Sequence, residues 1–216
     1  MRNWEKDLEP LLNKYGKRKH PLEYKNRYQL MVMIVLSAQT TDNLINKIAP
    51  EFFKVFPSMS ELKLHQPEDL YPYISKATGF RKKAKWLIEI ANITGNDEGI
   101  PHTIEELTKL PGFGRKSSNV LIRESGDTAG GVMVDLHVAR VAPRLGVATS
   151  DKPDKIEKEI MAAFPREKWN DIGMSLSYHG REICRPKPDC GNCIVNSVCD
   201  YFKSVVLKQA VNETNA

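Results

Sequence analysis

The sequence predicts an all-α fold, and three observations carry that expectation. Apolar residues recur at helical spacing in almost every segment, as in Leu44, Ile45, Ile48, Phe52 and Phe53. No two stretches read as paired strands, and VMVD (132–135) is the only β-like run. One polar, glycine-rich break, ESGDTAGG (124–131), interrupts the helical pattern and is a candidate domain boundary.

Each element follows from local pattern. YKNRYQLMVMIVLS (24–37) is apolar through most of its second half and reads as a buried helix. TDNLINKIAPEFFKVF (41–56) follows, with Thr41 or Asp42 as its N-cap, and Pro50 is expected to kink or split it. SELKLH (60–65) and PEDLYPYISKA (67–77) read as short helices, the second opening on Pro67. After Gly79, RKKAKWLIEIANITG (81–95) is a longer amphipathic stretch. HTIEELTKL (102–110) carries Thr103 and Glu106 at capping-box spacing. A further helix runs through Arg123. VMVDLHVARVAPRLGV (132–147), KIEKEIMAAFP (155–165) and REKWNDIGMSLSYHGREIC (166–184) complete the helical part. The tail after Tyr201 ends in polar VNETNA and is expected to fray.

Composition narrows the class. The 216 residues suit one large domain or two small ones, at ~100–200 residues each. With 41% hydrophobic and 27% charged residues, long disorder is not expected. A net charge of +5 is compatible with a nucleic-acid partner without demanding one. The N-terminal MRNWEKDLEP lacks the apolar core of a secretory signal. The longest apolar run, LMVMIVL (30–36), is far short of a membrane span, which needs ~20 residues. The expected setting is therefore the cytoplasm, nucleoid-associated in a prokaryote, with no membrane partner.

LPGFGRKSSNV (110–120) joins two helical patterns. Pro111 is expected to end the first, and Gly112 and Gly114 permit the positive φ of a tight hairpin. Amides at the start of the next helix, with the helix dipole, form an anion site. An anion that tolerates close backbone approach is most simply a phosphate, so a helix–hairpin–helix gripping a DNA backbone fits. A helix–helix corner that needs glycine only for packing fits the same letters. A P-loop fits poorly. Lys116-Ser117 matches its end, but Arg115 stands where glycine belongs and a helix precedes the turn.

The four cysteines, Cys184, Cys190, Cys193 and Cys199, are spaced C-x5-C-x2-C-x5-C near the C-terminus. Without a secretory context this reads as a metal site rather than as disulfides. Zinc held by four cysteines usually takes two C-x2-C knuckles, and here only Cys190 and Cys193 form one. The wider gaps favour an iron–sulfur cluster and leave zinc open. In the loop between the first two cysteines, Arg185 and Lys187 face either a phosphate backbone or solvent.

Taken together, LSAQTTD (36–42), LPGFGRKSSNV (110–120), VDLHVAR (134–140), HGREIC (179–184) and the cysteine cluster resemble the endonuclease III family. These are bifunctional DNA glycosylases of the helix–hairpin–helix, Gly/Pro–Asp superfamily, and the resemblance covers about residues 2–203. It implies two helical domains with a DNA cleft between them. One is a six-helix barrel with the helix–hairpin–helix, residues 21–129. The other is an iron–sulfur domain, residues 1–20 plus 130–216, holding a [4Fe–4S] cluster on the four cysteines. The implied activity is removal of oxidised or ring-saturated pyrimidines from duplex DNA, followed by β-elimination at the abasic site. The partner is double-stranded DNA with damaged pyrimidines or abasic sites, and the protein is expected to act as a monomer.

The resemblance also implies residue roles. Lys116 matches the nucleophile that forms a Schiff base with the sugar, and Asp135 matches the catalytic acid. A nucleophilic amine must be neutral, which burial or a nearby helix N-terminus would favour. Gln39 matches the residue that fills the gap left by the flipped base, its other reading being a polar cap of a helix–helix loop. Phe80 lies where the family carries an apolar wedge against the opposite strand, its other reading being ordinary core. Gly112, Gly114, Arg115 and Lys187 are the remaining DNA-binding candidates. Arg81, Lys82, Lys83 and Lys85 read as phosphate contacts or as a solvated face. His137 is assigned no chemistry.

Two departures stand out. The family usually spaces its first cysteines C-x6-C, so the shorter loop here must close differently. It also tends to carry threonine where this chain has Leu136. Two competing readings remain at this level. One is a monofunctional glycosylase for mispaired thymine, uracil or adenine, which the presence of Lys116 opposes. The other is a non-catalytic DNA-binding iron–sulfur protein, which the pairing of Lys116 with Asp135 opposes.

Overall fold

The computed structural model describes residues 2–206, so the tail VNETNA lies outside the described residues. In chain order the α-helices are α1 (Trp4–Asp7), α2 (Glu9–Tyr15), α3 (Arg27–Ser37), α4 (Asp42–Val55), α5 (Met59–Leu62), α6 (Pro67–Ile74), α7 (Phe80–Thr94), α8 (Ile104–Leu107), α9 (Arg115–Ser125), α10 (Leu136–Leu145), α11 (Pro153–Ala163) and α12 (Trp169–Glu182). No strand occurs among the described residues, so the fold is all-α. The chain divides into two compact units. One is Lys19–Gly130, and the other joins Met1–Arg18 to Gly131–Ala216.

In the unit Lys19–Gly130, α3 is the central helix and packs against α4, α7 and α9. Every residue from Leu30 to Leu36 is buried. A helix apolar on all sides is a core helix. Burying one such side chain contributes about 1.5–3 kcal/mol. That outweighs the few tenths that Val32, Ile34 and Val35 lose in helix propensity. The helix starts at Arg27 rather than at Tyr24, because the Asn26 side chain accepts from the Gln29 amide at 2.9 Å and caps it. Thr41 caps α4 in the same way, through the Leu44 amide. Pro50 does not split α4. The helix runs on to Val55 with Pro50 exposed, while Ile45, Ala49 and Phe52 bury the opposite face.

In the other unit, α2, α10, α11 and α12 enclose a core that includes Leu11, Val141, Leu145, Ile160, Ile172 and Leu176. The Tyr15 hydroxyl donates to Glu182 Oε2 at 3.0 Å, and Arg18 pairs with the same carboxylate, which ties the end of α2 to the end of α12. The run VMVD is neither strand nor helix. Val132, Met133 and Val134 are buried in extended chain, and the helix begins only at Leu136, after Asp135.

Gly173 of α12 makes this possible. A Cβ built there would stand 2.9 Å from the carbonyl oxygen of Met133 and 3.1 Å from its amide nitrogen. The extended segment therefore lies directly on the α12 backbone, and it delivers Asp135 to its position. Ala in place of Gly in a helix gains about 0.5–1 kcal/mol of intrinsic propensity. Overpacking against rigid backbone costs about 1–3 kcal/mol. Gly173→Ala is therefore expected to lower stability by about 1–2 kcal/mol, read as a lower urea midpoint with an unchanged slope.

Candidate functional site

The hairpin is a tight turn on a short helix. α8 is a single turn that ends at Leu107, so it is not Pro111 that terminates it. Thr103 Oγ1 accepts from the Glu106 amide, half of the expected capping box. The Phe113 amide then bonds the Leu110 carbonyl at 3.2 Å across Pro111-Gly112. Proline at the second turn position and Gly112 at the third, with φ +79, are the signature of a type II turn. Gly112 is doubly constrained, since a Cβ would meet the Trp86 ring at 2.6 Å. Gly114 behaves differently from the expectation. Its φ is −104, it is the extended N-cap of α9, and no atom lies within 4 Å of where its Cβ would be. Glycine there leaves open space beside the helix start.

α9 has no side-chain cap, and Arg115 and Lys116 are its first two residues, both exposed. The burial expected to favour a neutral Lys116 amine is absent from the free protein. The helix N-terminus is present. Gln39 is exposed in the loop after α3, with φ +56, the one non-glycine residue with positive φ among the described residues. Phe80 is the first residue of α7 and is half-buried, edge-on to Tyr71 with ring centres 5.2 Å apart. Arg81, Lys82 and Lys85 are exposed. Lys82 Nζ sits 4.7 Å over the Trp86 ring that backs the hairpin. Lys83 departs from the expectation of a phosphate contact or a solvated charge. It is 4% exposed, and its ammonium donates to the carbonyls of Leu36 and Ala38. Burial lowers its pKa.

Lys116, Gln39, Phe80 and the hairpin belong to the unit Lys19–Gly130. Asp135, Lys187 and the cysteines belong to the other. Asp135 is the N-cap of α10, and its Oδ1 accepts from the amides of His137 and Val138 at 2.9 and 2.8 Å. Oδ2 accepts from the buried Ser177 hydroxyl at 2.7 Å, and Arg181 lies 3.8 Å away. Both oxygens are thus fixed before any ligand arrives. Arg140 reaches the His137 Nδ1 at 3.1 Å and donates to the carbonyls of Gly180 and Cys184. With Arg140 as donor, the His137 ring is the neutral tautomer protonated on Nε2. Burial lowers its pKa. Leu136 is 69% exposed beside Asp135.

The four cysteines line one small cavity, together with His179, Tyr201 and Phe202. Among the described residues no three His, Cys, Asp or Glu are grouped so as to hold a single metal ion. Burial pushes the thiols of Cys190, Cys193 and Cys199 up, Cys193 to about 11. Arg144 organises the shortened loop. Its guanidinium donates to the carbonyls of Arg185 and Pro186 at 2.7 and 2.9 Å and stands 3.5 Å from Cys184 Sγ. Lys187 is exposed in that loop.

A family model described as the HhH-GPD superfamily base excision DNA repair protein matches residues 32–166. Endonuclease III of Synechocystis sp. is 35% identical over 187 residues, 82% of this chain and 83% of that protein. The chain belongs to the endonuclease III family of this superfamily. Endonuclease III of Thermotoga maritima is 33% identical over 82% of this chain and 84% of its own length. A trapped endonuclease III–DNA covalent intermediate superposes with a TM-score of 0.82 at 28% identity, over 92% of this chain and 95% of that one. In this endonuclease III-like chain, sequence reasoning missed Ser177 and Arg144, and it placed Lys83 on the surface where the structure buries it. For Ser177 no sequence signal pointed to Asp135.

The geometry predicts separable effects at Asp135. Ser177→Ala removes a hydrogen bond to a carboxylate and is expected to cost about 1.5–3 kcal/mol. Asp135→Ala loses that same bond and the cap besides, so it is expected to cost more than Ser177→Ala, by about 1 kcal/mol. Asp135→Asn keeps an equivalent cap and is expected to remain within about 0.5 kcal/mol of the parent. Urea unfolding of the three variants checks this order.

Proposed function

We propose that the protein is a bifunctional base-excision-repair DNA glycosylase and AP lyase acting on oxidised or ring-saturated pyrimidines in duplex DNA. The observation that carries the reading is Lys116. It is an exposed primary amine in the first turn of the helix that leaves the glycine hairpin, in a chain whose likeness to a trapped endonuclease III–DNA intermediate extends over 92% of its length. The hairpin of Gly112 and Gly114 and the guanidinium of Arg115 hold a phosphate. Phe80 wedges against the opposite strand, Gln39 occupies the gap left by the flipped base, and Lys187 adds a backbone contact.

The chemistry follows from the two reacting groups. The Lys116 amine forms a bond to the sugar C1′ as the glycosidic bond breaks, and the base leaves with the electron pair and takes up a proton. The sugar ring opens to a Schiff base. Loss of a C2′ proton then expels the 3′ phosphate, and water releases the enzyme. The damaged nucleotide supplies the dry surroundings that the exposed amine lacks in the free protein. Asp135, with Oδ1 engaged by two amides and Oδ2 by Ser177, stabilises positive charge developing on the sugar and is available to move protons.

Cys184, Cys190, Cys193 and Cys199 suit a [4Fe–4S] cluster, because four thiols from one short segment line a single cavity. Buried thiols ionise there against the charge of the metal. When bound, the cluster ties the end of α12 to the segment beyond it. The unit Lys19–Gly130 is the barrel domain and the other unit is the cluster domain, and the enzyme works as a monomer on DNA in the cytoplasm or nucleoid. No helix among the described residues is long and apolar enough to cross a membrane.

Incubation with duplex DNA carrying an abasic site, with borohydride added, is expected to give a covalent adduct that Lys116→Gln abolishes. Asp135→Asn should lower excision by about 10²–10⁴-fold, the usual contribution of a positioned proton-transfer group. Base release without an adduct would instead indicate a monofunctional enzyme, and binding alone a DNA-binding module. Iron and acid-labile sulfide in equal amounts, lost together in Cys193→Ser, are expected for the cluster. Stoichiometric zinc without sulfide would sink that assignment.

A further inference from the structure

The loop that carries Gln39 is fixed by a buried ammonium. α3 ends at Ser37, and a helix end leaves carbonyls without partners. Ser37 Oγ returns to the Ile34 carbonyl, and the Thr40 amide meets the Ser37 carbonyl. Lys83, in the first turns of α7, meets the next two. Its Nζ donates to Leu36 O at 2.7 Å, to Ala38 O at 2.5 Å and to Thr40 Oγ1 at 3.2 Å. Those bonds use all three ammonium protons. Thr40 Oγ1 also accepts from the Thr78 amide at 3.1 Å, so the loop is anchored to the approach to α7 as well.

The anchors bracket Gln39 on both sides. Gln39 itself is exposed and left-handed at φ +56. That conformation costs a non-glycine residue about 1–2 kcal/mol. It persists only where the surroundings over-determine it. A helix cap alone would need no contact beyond α3. The third bond, to Thr40, makes the ammonium a clamp across the strained residue. The C-terminal dipole of α3 favours a cation at this position and offsets part of its burial.

We propose that Lys83 is a positioning residue for Gln39. Its ammonium holds residues 36–40 in the one conformation that presents the Gln39 side chain, already ordered, to the space left by a flipped nucleotide. The proposal rests on the glycosylase reading above. Ordering the loop in advance removes that cost from the DNA-bound state, and misplacement of a positioned group by about 1 Å can cost 10²-fold in rate.

The test uses the metal-loaded full chain and the variants Lys83→Met, Gln39→Ala, their double mutant and Thr40→Val. Single-turnover excision of thymine glycol from duplex DNA is expected to fall roughly ten- to a hundred-fold in Lys83→Met. The double mutant should be no slower than Gln39→Ala alone, because the clamp acts only through Gln39. Amide exchange should quicken at residues 37–41 in Lys83→Met and remain slow in the rest of α3. Thr40→Val removes one acceptor and should show a smaller loss that also vanishes in the Gln39→Ala background. It carries the test if Lys83→Met does not fold. Multiplicative losses in the double mutants, or unchanged exchange at 37–41, would overturn the proposal while wild-type excision stands. Wild-type protein inert toward thymine glycol and abasic DNA would overturn the glycosylase reading itself, and the exchange measurement would then decide the clamp alone.

Discussion

Each helix leaves four amides at its start and four carbonyls at its end without partners in its own ladder, and in this chain the chemically important side chains sit where those groups must be met. Asp135 caps the start of α10, and Lys83 meets the end of α3. Lys116 occupies the uncapped first turn of α9, Phe80 opens α7, and Cys184 follows the end of α12. The long helices therefore do two things. Their apolar faces hold each unit together, and their ends decide where reactive groups point.

Asp135 shows how one residue serves both demands. A cap uses one carboxylate oxygen, and it leaves the other for different partners. Here that second oxygen is taken by Ser177 from α12, which can approach because Gly173 and Gly180 remove two side chains from the same face. The cap is worth about 1 kcal/mol, small beside the several kcal/mol that a charge placed for a transition state supplies. Capping therefore explains the orientation of Asp135 more than its presence. A cap alone could be Ser, Thr or Asn, whereas the proposed role, a fixed negative charge beside a sugar cation, requires a carboxylate.

The long periodic helices were legible in the sequence because burial imposes a repeat that survives without knowledge of partners. α3, α4, α6 and α12 all lie within the segments their apolar spacing marks, and α7 begins one residue earlier than its segment, at Phe80. The ends were less legible. VMVD resembles a strand because two of its three buried residues are β-branched valines, yet its partner is the backbone of α12 rather than another strand. Pro50 sits on an exposed face of α4, where a lost backbone bond does not break the helix. The motif residues stood out because their letters are contiguous. Lys83, Ser177 and Arg144 did not, because their partners lie 41 to 47 residues away and are in large part backbone carbonyls, which every sequence supplies. Lys83 in particular lies in a run of cations that reads as one surface, although its three neighbours in that run point to solvent and it alone turns inward.

The shortened cysteine loop illustrates the same limit. Removing one residue from a loop of this size changes its closure entropy by only a few tenths of a kcal/mol. The cost therefore lies in geometry, in where the turned-out carbonyls find donors. The Asp189 amide closes on the Ile183 carbonyl at 3.1 Å, and the carbonyls of Arg185 and Pro186 both point to the Arg144 guanidinium. A planar fork of donors can meet two adjacent carbonyls at once, which a lysine cannot do in fixed geometry. Arg144 also lies 5.0 Å over the Tyr201 ring, and its own carbonyl accepts from Cys199. One residue of α10 thus touches both ends of the cysteine cluster. A side chain of α10 thus completes the hydrogen bonding of the loop after Cys184, and the same residue holds Cys184 and Cys199, the first and last of the four cysteines, in relation to each other.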